Sequence, residues 1–153
     1  MQNVIVIGGG PAGMMAAIQA AENDYKVTII ERNKNLGKKL LITGKGRCNL
    51  TNYSNMNEHL KNIVDNPNFM YSSLTEFDPY RLYYYFEGLG LPLKVERGDR
   101  VFPESNRSQD VLKILQKELY KNNVEIIQDY VREIKVKNNK VSGVKLKYQG
   151  ELK

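Results

Sequence analysis

The residues best suited to chemistry stand near the start of the chain. Gly8-Gly9-Gly10-Pro11-Ala12-Gly13 has the spacing G-x-G-x-x-G, and Glu31 lies 18 residues beyond Gly13. Gly8 permits a tight turn, Gly10 lets a diphosphate approach the backbone, and Gly13 allows close helix packing. A helix starting at Pro11 would turn free N–H groups and the positive end of its dipole toward the phosphates. Glu31 is placed to accept hydrogen bonds from ribose hydroxyls. It would repel a 2′-phosphate, a point that Arg32 beside it softens, so NADP is the poorer ligand and FAD and NAD both stay open.

These residues require a strand, a helix and a second strand to hold them. Asn3-Val4-Ile5-Val6-Ile7 reads as a buried parallel strand and Pro11 to Asn23 as a helix. Lys26-Val27-Thr28-Ile29-Ile30 reads as a second strand ending at Glu31. This is the size of a βαβ unit. Residues 58–77 read as two helical pieces broken at Pro67, and Asp78-Pro79 as the cap and first turn of another helix. Leu93 to Glu96 suits a short strand. Ser108 is read as capping a helix with an apolar stripe of Val111, Leu112, Leu115 and Leu119. Val124 to Ile127 reads as a third core strand. Ile134 to Lys137 and Val141 to Tyr148 alternate around Asn138-Asn139 as a half-exposed hairpin.

Composition narrows the classes. The chain has 153 residues, one Cys and one His, which leaves no internal disulfide and no zinc site of the usual Cys/His type. One cysteine fits a reducing, cytoplasmic setting, and neither a signal peptide nor a membrane span is evident. The net charge of +6 is concentrated: Arg32, Lys34, Lys38, Lys39, Lys45 and Arg47 fall within residues 32–57, which hold no acid. Such a cluster favours a local anion, such as a cofactor diphosphate, as much as a nucleic acid.

Gly44-Lys45-Gly46-Arg47-Cys48-Asn49-Leu50-Thr51-Asn52 is a glycine-flexible loop with an anion binder, Arg47, among small hydrogen-bonding side chains. With Gly8 to Gly13, Glu31, Gly37-Lys38-Lys39-Leu40 and Arg100-Val101-Phe102-Pro103-Glu104-Ser105, it resembles the BaiN/YhiN-type family of NAD(P)/FAD-dependent oxidoreductases, over essentially the whole chain. The resemblance implies an α/β, Rossmann-like FAD-binding domain with a three-layer parallel sheet and a β-meander hairpin, truncated inside the meander. Within 1–153 it implies a βαβ unit at 1–31, a cofactor loop at 32–57, a helical region at 58–122, and a third strand and hairpin at 124–148. FAD would be held at its diphosphate by Gly8, Gly10, Pro11, Ala12 and Gly13, and at its ribose by Glu31. Arg32, Lys39, Leu40, Gly46, Arg47, Cys48, Asn49 and Leu50 would line it toward the flavin, and the Val131 backbone would meet the adenine. Cys48 reads as a packing residue rather than a redox thiol, and His59 as a surface residue.

Three functions follow. The first is an FAD-binding oxidoreductase, with NAD(P)H as a candidate electron donor and an unidentified small-molecule substrate. The second is flavin-dependent reduction of uridine in ribosomal RNA, with RNA as partner. The third is a truncated, catalytically inactive chain that dimerises to cover its open sheet.

Overall fold

Val4, Ile5, Val6 and Ile7 favour extended backbone. In the computed structural model, which describes residues 2–153, they lie in strand β1. In chain order the elements are β1 (Asn3–Ile7), α1 (Pro11–Glu22), β2 (Lys26–Glu31), α2 (Met56–Lys61), α3 (Tyr71–Glu76), α4 (Pro79–Gly88), β3 (Leu93–Glu96), β4 (Arg100–Pro103), α5 (Ser108–Lys121), β5 (Glu125–Gln128), β6 (Val131–Lys137), β7 (Lys140–Leu146) and β8 (Glu151–Leu152). They form two compact units. One is made by the chain up to Leu40 and from Leu115 onward, the other by Leu41–Ile114.

The first unit is the Rossmann-like one. Its parallel sheet has the order β1-β2-β5, with Ile5 opposite Thr28 and Ile29 opposite Ile126. α1 packs on β1 and β2, where Met14, Ala17 and Ile18 are fully buried. Ile30 packs with Val144 and Leu146 of the meander, joined by Ile5, Ile127, Val131 and Leu152. Helix, sheet and meander therefore make the three layers. β2 is central and buried from Val27 to Glu31. β1 and β5 were expected as buried strands. Each has one neighbour in this sheet, so β1 is only half-buried and Ile126 of β5 is 49% exposed.

The meander runs β6-β7-β8, antiparallel throughout. The hairpin at Asn138-Asn139 is present, both residues having positive φ as a tight primed turn requires. β7 ends at Leu146, and β8 pairs its Leu152 with Val144. This two-residue strand is too short to leave a pattern in the sequence. Asp129 organises the base of the meander. Its buried carboxylate accepts from the N–H groups of Tyr130 at 2.6 Å, Tyr148 at 3.2 Å and Gln149 at 3.0 Å.

In the second unit, Asp78 caps α4 as expected, accepting from the Arg81 N–H at 2.7 Å. The helical pieces before it differ from expectation. Asn55 caps α2 through the Glu58 N–H at 3.0 Å, so that helix begins earlier, and Pro67 opens a 3₁₀ turn leading into α3. Ser108 is not the cap expected of α5. It is the first helical residue, and its hydroxyl donates to the Leu41 carbonyl at 2.9 Å. The Tyr83-Tyr84-Tyr85 run forms an aromatic cluster, with the Tyr53 ring edge-on to Tyr80 and Tyr83 at 4.7 and 5.0 Å.

Candidate cofactor site

In the first unit the glycine motif forms the turn from β1 into α1. Gly8 has φ +106°, a conformation that side chains rarely adopt. A Cβ on Gly13 would stand 2.0 Å from the Gly8 carbonyl oxygen, so the helix can approach this turn only with glycine there. Gly9, to which spacing gave no role, is also constrained: its Cβ would meet Leu36 Cδ2 at 2.3 Å. A Cβ on Gly10 would meet nothing within 4 Å. Gly10 is the N-cap of α1 and no side chain caps the helix, while Pro11 at its first position has no N–H to satisfy. The turn therefore leaves open space beside an uncapped helix start. Its geometry fits an anion held by backbone N–H groups.

Glu31 closes this turn. Its Oε2 accepts from the Gly9 N–H at 2.7 Å, and its Oε1 from the Asn33 N–H at 2.8 Å and the Asn33 side-chain amide at 2.5 Å. Burial pushes the carboxyl up. The hydrogen bonds from Asn33 and Gly9, with the nearby Arg32 charge, outweigh it and hold the group below its ordinary 4.5. An ionised carboxylate offers about four lone-pair positions. These bonds leave room for roughly one more donor, such as a ribose hydroxyl. Asn33 was missed by sequence reasoning; an amide two residues after an acid leaves no distinctive spacing.

Arg32 and Lys39 are exposed and Leu40 is buried. Val131 is the first residue of β6, pairs with Leu146 and packs on the Ile30 cluster. It lies two residues after Asp129.

In the second unit Gly46 to Leu50 belong to a tightly built loop. Gly44, Lys45, Gly46 and Cys48 all have positive φ, +54°, +57°, +84° and +61°. Lys45 and Cys48 are non-glycine residues in a region that L side chains seldom occupy. The loop then docks on the β3–β4 hairpin. The Leu50 N–H donates to the Val101 carbonyl and the Val101 N–H to the Thr51 carbonyl, both at 2.9 Å, and Asn52 bridges to Arg100. With its nitrogen turned toward them, the Asn49 amide reaches the Thr51 and Val101 carbonyls at 3.3 and 3.2 Å. Cys48 is buried, and burial raises its thiol pKa against a smaller opposing hydrogen bond from Thr43.

Arg47 is held on three sides. Its Nη2 is ion-paired to Glu96, its Nε donates to Asn106 Oδ1 at 3.0 Å, and its guanidinium carbon lies 4.0 Å from the Phe102 ring centroid. Lys94 also reaches Glu96, at 3.2 Å. The Arg47 hydrogen bond holds the Glu96 carboxyl below its usual range against a smaller effect of burial. Glu96, Phe102 and Asn106 had no assigned role in the sequence; they stand far from Arg47 along the chain. The two motifs containing Arg47 and Phe102 thus fold as one body.

Among the described residues no cluster of His, Cys, Asp or Glu could hold a metal, and no helix is long and apolar enough to cross a membrane. Residues 2–153 match the HI0933-like protein Rossmann domain. The chain is 40% identical over 128 residues to a 3-dehydro-bile acid delta(4,6)-reductase of Clostridium scindens, covering 82% of this chain and 31% of that protein. It is 37% identical over 73 residues to a ribosomal RNA dihydrouridine synthase of Haemophilus influenzae, covering 48% of this chain and 18% of that one. The crystal structure of a 3-ketosteroid-delta4-(5alpha)-dehydrogenase from Rhodococcus jostii superposes with TM-score 0.66 at 17% identity, over 97% of this chain and 43% of its own. The chain thus spans about a third of the first relative's length and less of the second.

Proposed function

Because this chain belongs to the HI0933-like Rossmann-domain family, we propose that it is the FAD-holding part of a flavoprotein oxidoreductase. The observation that carries this is the open, uncapped start of α1 beside Gly10, with Glu31 fixed next to it by Gly9. The N–H groups of Gly10, Ala12 and Gly13 would take the diphosphate, and the free acceptor position of Glu31 a ribose hydroxyl. Arg32, Lys39 and Leu40 would line the cofactor toward its flavin, and the Val131 backbone would meet the adenine. FAD, when bound, supplies hydride transfer; the chain's own residues bind and orient. NAD(P)H is the proposed electron donor. Titration of the purified chain with FAD and with ADP tests the reading. Saturable binding of both is expected; binding of neither would overturn it.

A second reading takes RNA as partner. Two features favour it. One relative is a ribosomal RNA dihydrouridine synthase. Residues 134–150 hold Lys135, Lys137, Lys140, Lys145 and Lys147 and no acid, beyond the basic stretch at 32–57. RNA affinity that falls steeply with salt, and falls further when Lys38 or Lys45 is replaced, would support it. Salt-insensitive or undetectable binding would reject it.

A further inference from the structure

Lys147 lies over two tyrosine rings, its Nζ 4.5 Å from the Tyr148 centroid and 5.4 Å from that of Tyr130. All three residues belong to the first unit, at the base of the meander. The rings stay open, Tyr148 at 69% and Tyr130 at 44% exposure. Their backbone is fixed. The Tyr130 and Tyr148 N–H groups donate to the buried Asp129 carboxylate, and the Lys147 N–H donates to the Tyr130 carbonyl at 2.9 Å. Two exposed rings on an anchored backbone form a stacking surface that loses little freedom on meeting a base.

Charge surrounds these rings. Residues 131–153 hold seven basic residues and two acids, Glu133 and Glu151. Both acids reach Lys135, at 2.9 and 3.9 Å. Lys137, Lys140, Lys145 and Lys147 have no carboxylate within ion-pair distance among the described residues. Lys145 and Lys147 alternate with the buried Val144 and Leu146, so they point away from the core. Lys137 and Lys140 stand opposite each other in register, a like-charge pairing that costs stability. At roughly 3.3 Å per residue, Lys140 and Lys147 are about 20 Å apart along the strand direction. A single diphosphate cannot span such a row, whereas a chain of phosphates can.

We propose that the outer surface of the meander binds single-stranded RNA: bases stack on Tyr130 and Tyr148, and phosphates meet Lys137, Lys140, Lys145 and Lys147. This rests on the RNA reading above, to which it adds the surface that takes the bases. Asp129 acts as a positioning residue here. It touches no RNA and holds the backbone from which both rings project.

The test is fluorescence anisotropy of the full 153-residue chain with a labelled oligouridine of about twelve nucleotides. Tyr148→Ala is expected to weaken binding about tenfold, the loss of one base–ring stack. Tyr148→Phe keeps the ring and should weaken it by less than about twofold. Lys145→Gln should make the salt dependence shallower by about 0.7 in log–log slope. The urea midpoint of Tyr148→Ala should match wild type, because its backbone bond to Asp129 survives. Should the midpoint fall, the Lys145→Gln slope decides, and an unchanged slope overturns the assignment. Oligouridine binding that is unaltered in Tyr148→Ala would overturn the surface while leaving the RNA reading intact. So would equal losses in Tyr148→Ala and Tyr148→Phe, or complete displacement by ADP, which would give the rings to the base of a mononucleotide. Failure of the wild-type chain to bind oligouridine would overturn both.

Discussion

The Arg47 guanidinium lies over the Phe102 ring at 4.0 Å, joining two segments that are 55 positions apart in the chain. Phe102 is buried and also lies against the Gly44 turn, where an added Cβ would meet its ring at 3.2 Å. Phe102→Ala should therefore cost about 3–5 kcal/mol, the usual range for emptying an aromatic core position. Urea denaturation of wild type and variant checks this. A cost under about 1 kcal/mol would mean that the loop and hairpin are not one body.

The glycine motif predicts a contrast between two single substitutions. Gly13→Ala forces a Cβ to 2.0 Å from a backbone carbonyl and should destabilise the chain strongly. Gly10→Ala has open space, so its stability should change by less than about 1 kcal/mol. Its methyl would fill the place proposed for the diphosphate, so FAD binding should be lost while the fold persists. Thermal denaturation and FAD titration of both variants separate the outcomes.

Acid stability follows from two buried carboxylates. Burial pushes the carboxyl up at both Glu31 and Asp129. Backbone N–H donors outweigh it, and both groups are held below their ordinary 4.5 and 3.8. Depressed native pKa values favour the folded state when the groups are ionised. Their contribution is complete above those ordinary values and is lost as pH falls through the native ones. Urea midpoints should therefore be flat from neutral pH down to about 4.5 and then fall. In Asp129→Asn the midpoint should be lower at neutral pH and the acid fall shallower. An unchanged acid limb would contradict the role of Asp129 at the base of the meander.

Cys48 should be chemically quiet. It is buried and its thiol pKa is raised, which keeps the thiolate scarce. A thiol reagent at neutral pH should react with the folded chain far more slowly than with the urea-unfolded chain. Equal rates would reopen a redox role for this residue.

Much of the fold was legible because its signals are local. The β-branched runs at β1 and β2, the Pro11 helix start, the Asp78 cap and the Asn138-Asn139 turn each follow from a few adjacent residues. The glycines and Glu31 were legible as neighbours because their spacing reflects one turn, which the Gly9–Glu31 hydrogen bond closes. Strand β4 escaped as an element: Val101, Phe102 and Pro103 are all buried, which breaks the alternation that marks a strand. The Glu96 and Asn106 partners of Arg47 escaped for a related reason. Their link to it is made by a loop docking on a hairpin, and no periodicity records that. Ser108 misled because a hydroxyl before an apolar stripe looks like a cap, whereas here it answers the Leu41 carbonyl.

Whether this chain holds FAD is tested most directly by a binding titration of FAD to the purified chain, with ADP as competitor. Saturable one-to-one binding, displaced by ADP and abolished in Gly10→Ala, is the expected result. An FAD signal that never saturates, or that survives unchanged in Gly10→Ala, would contradict it.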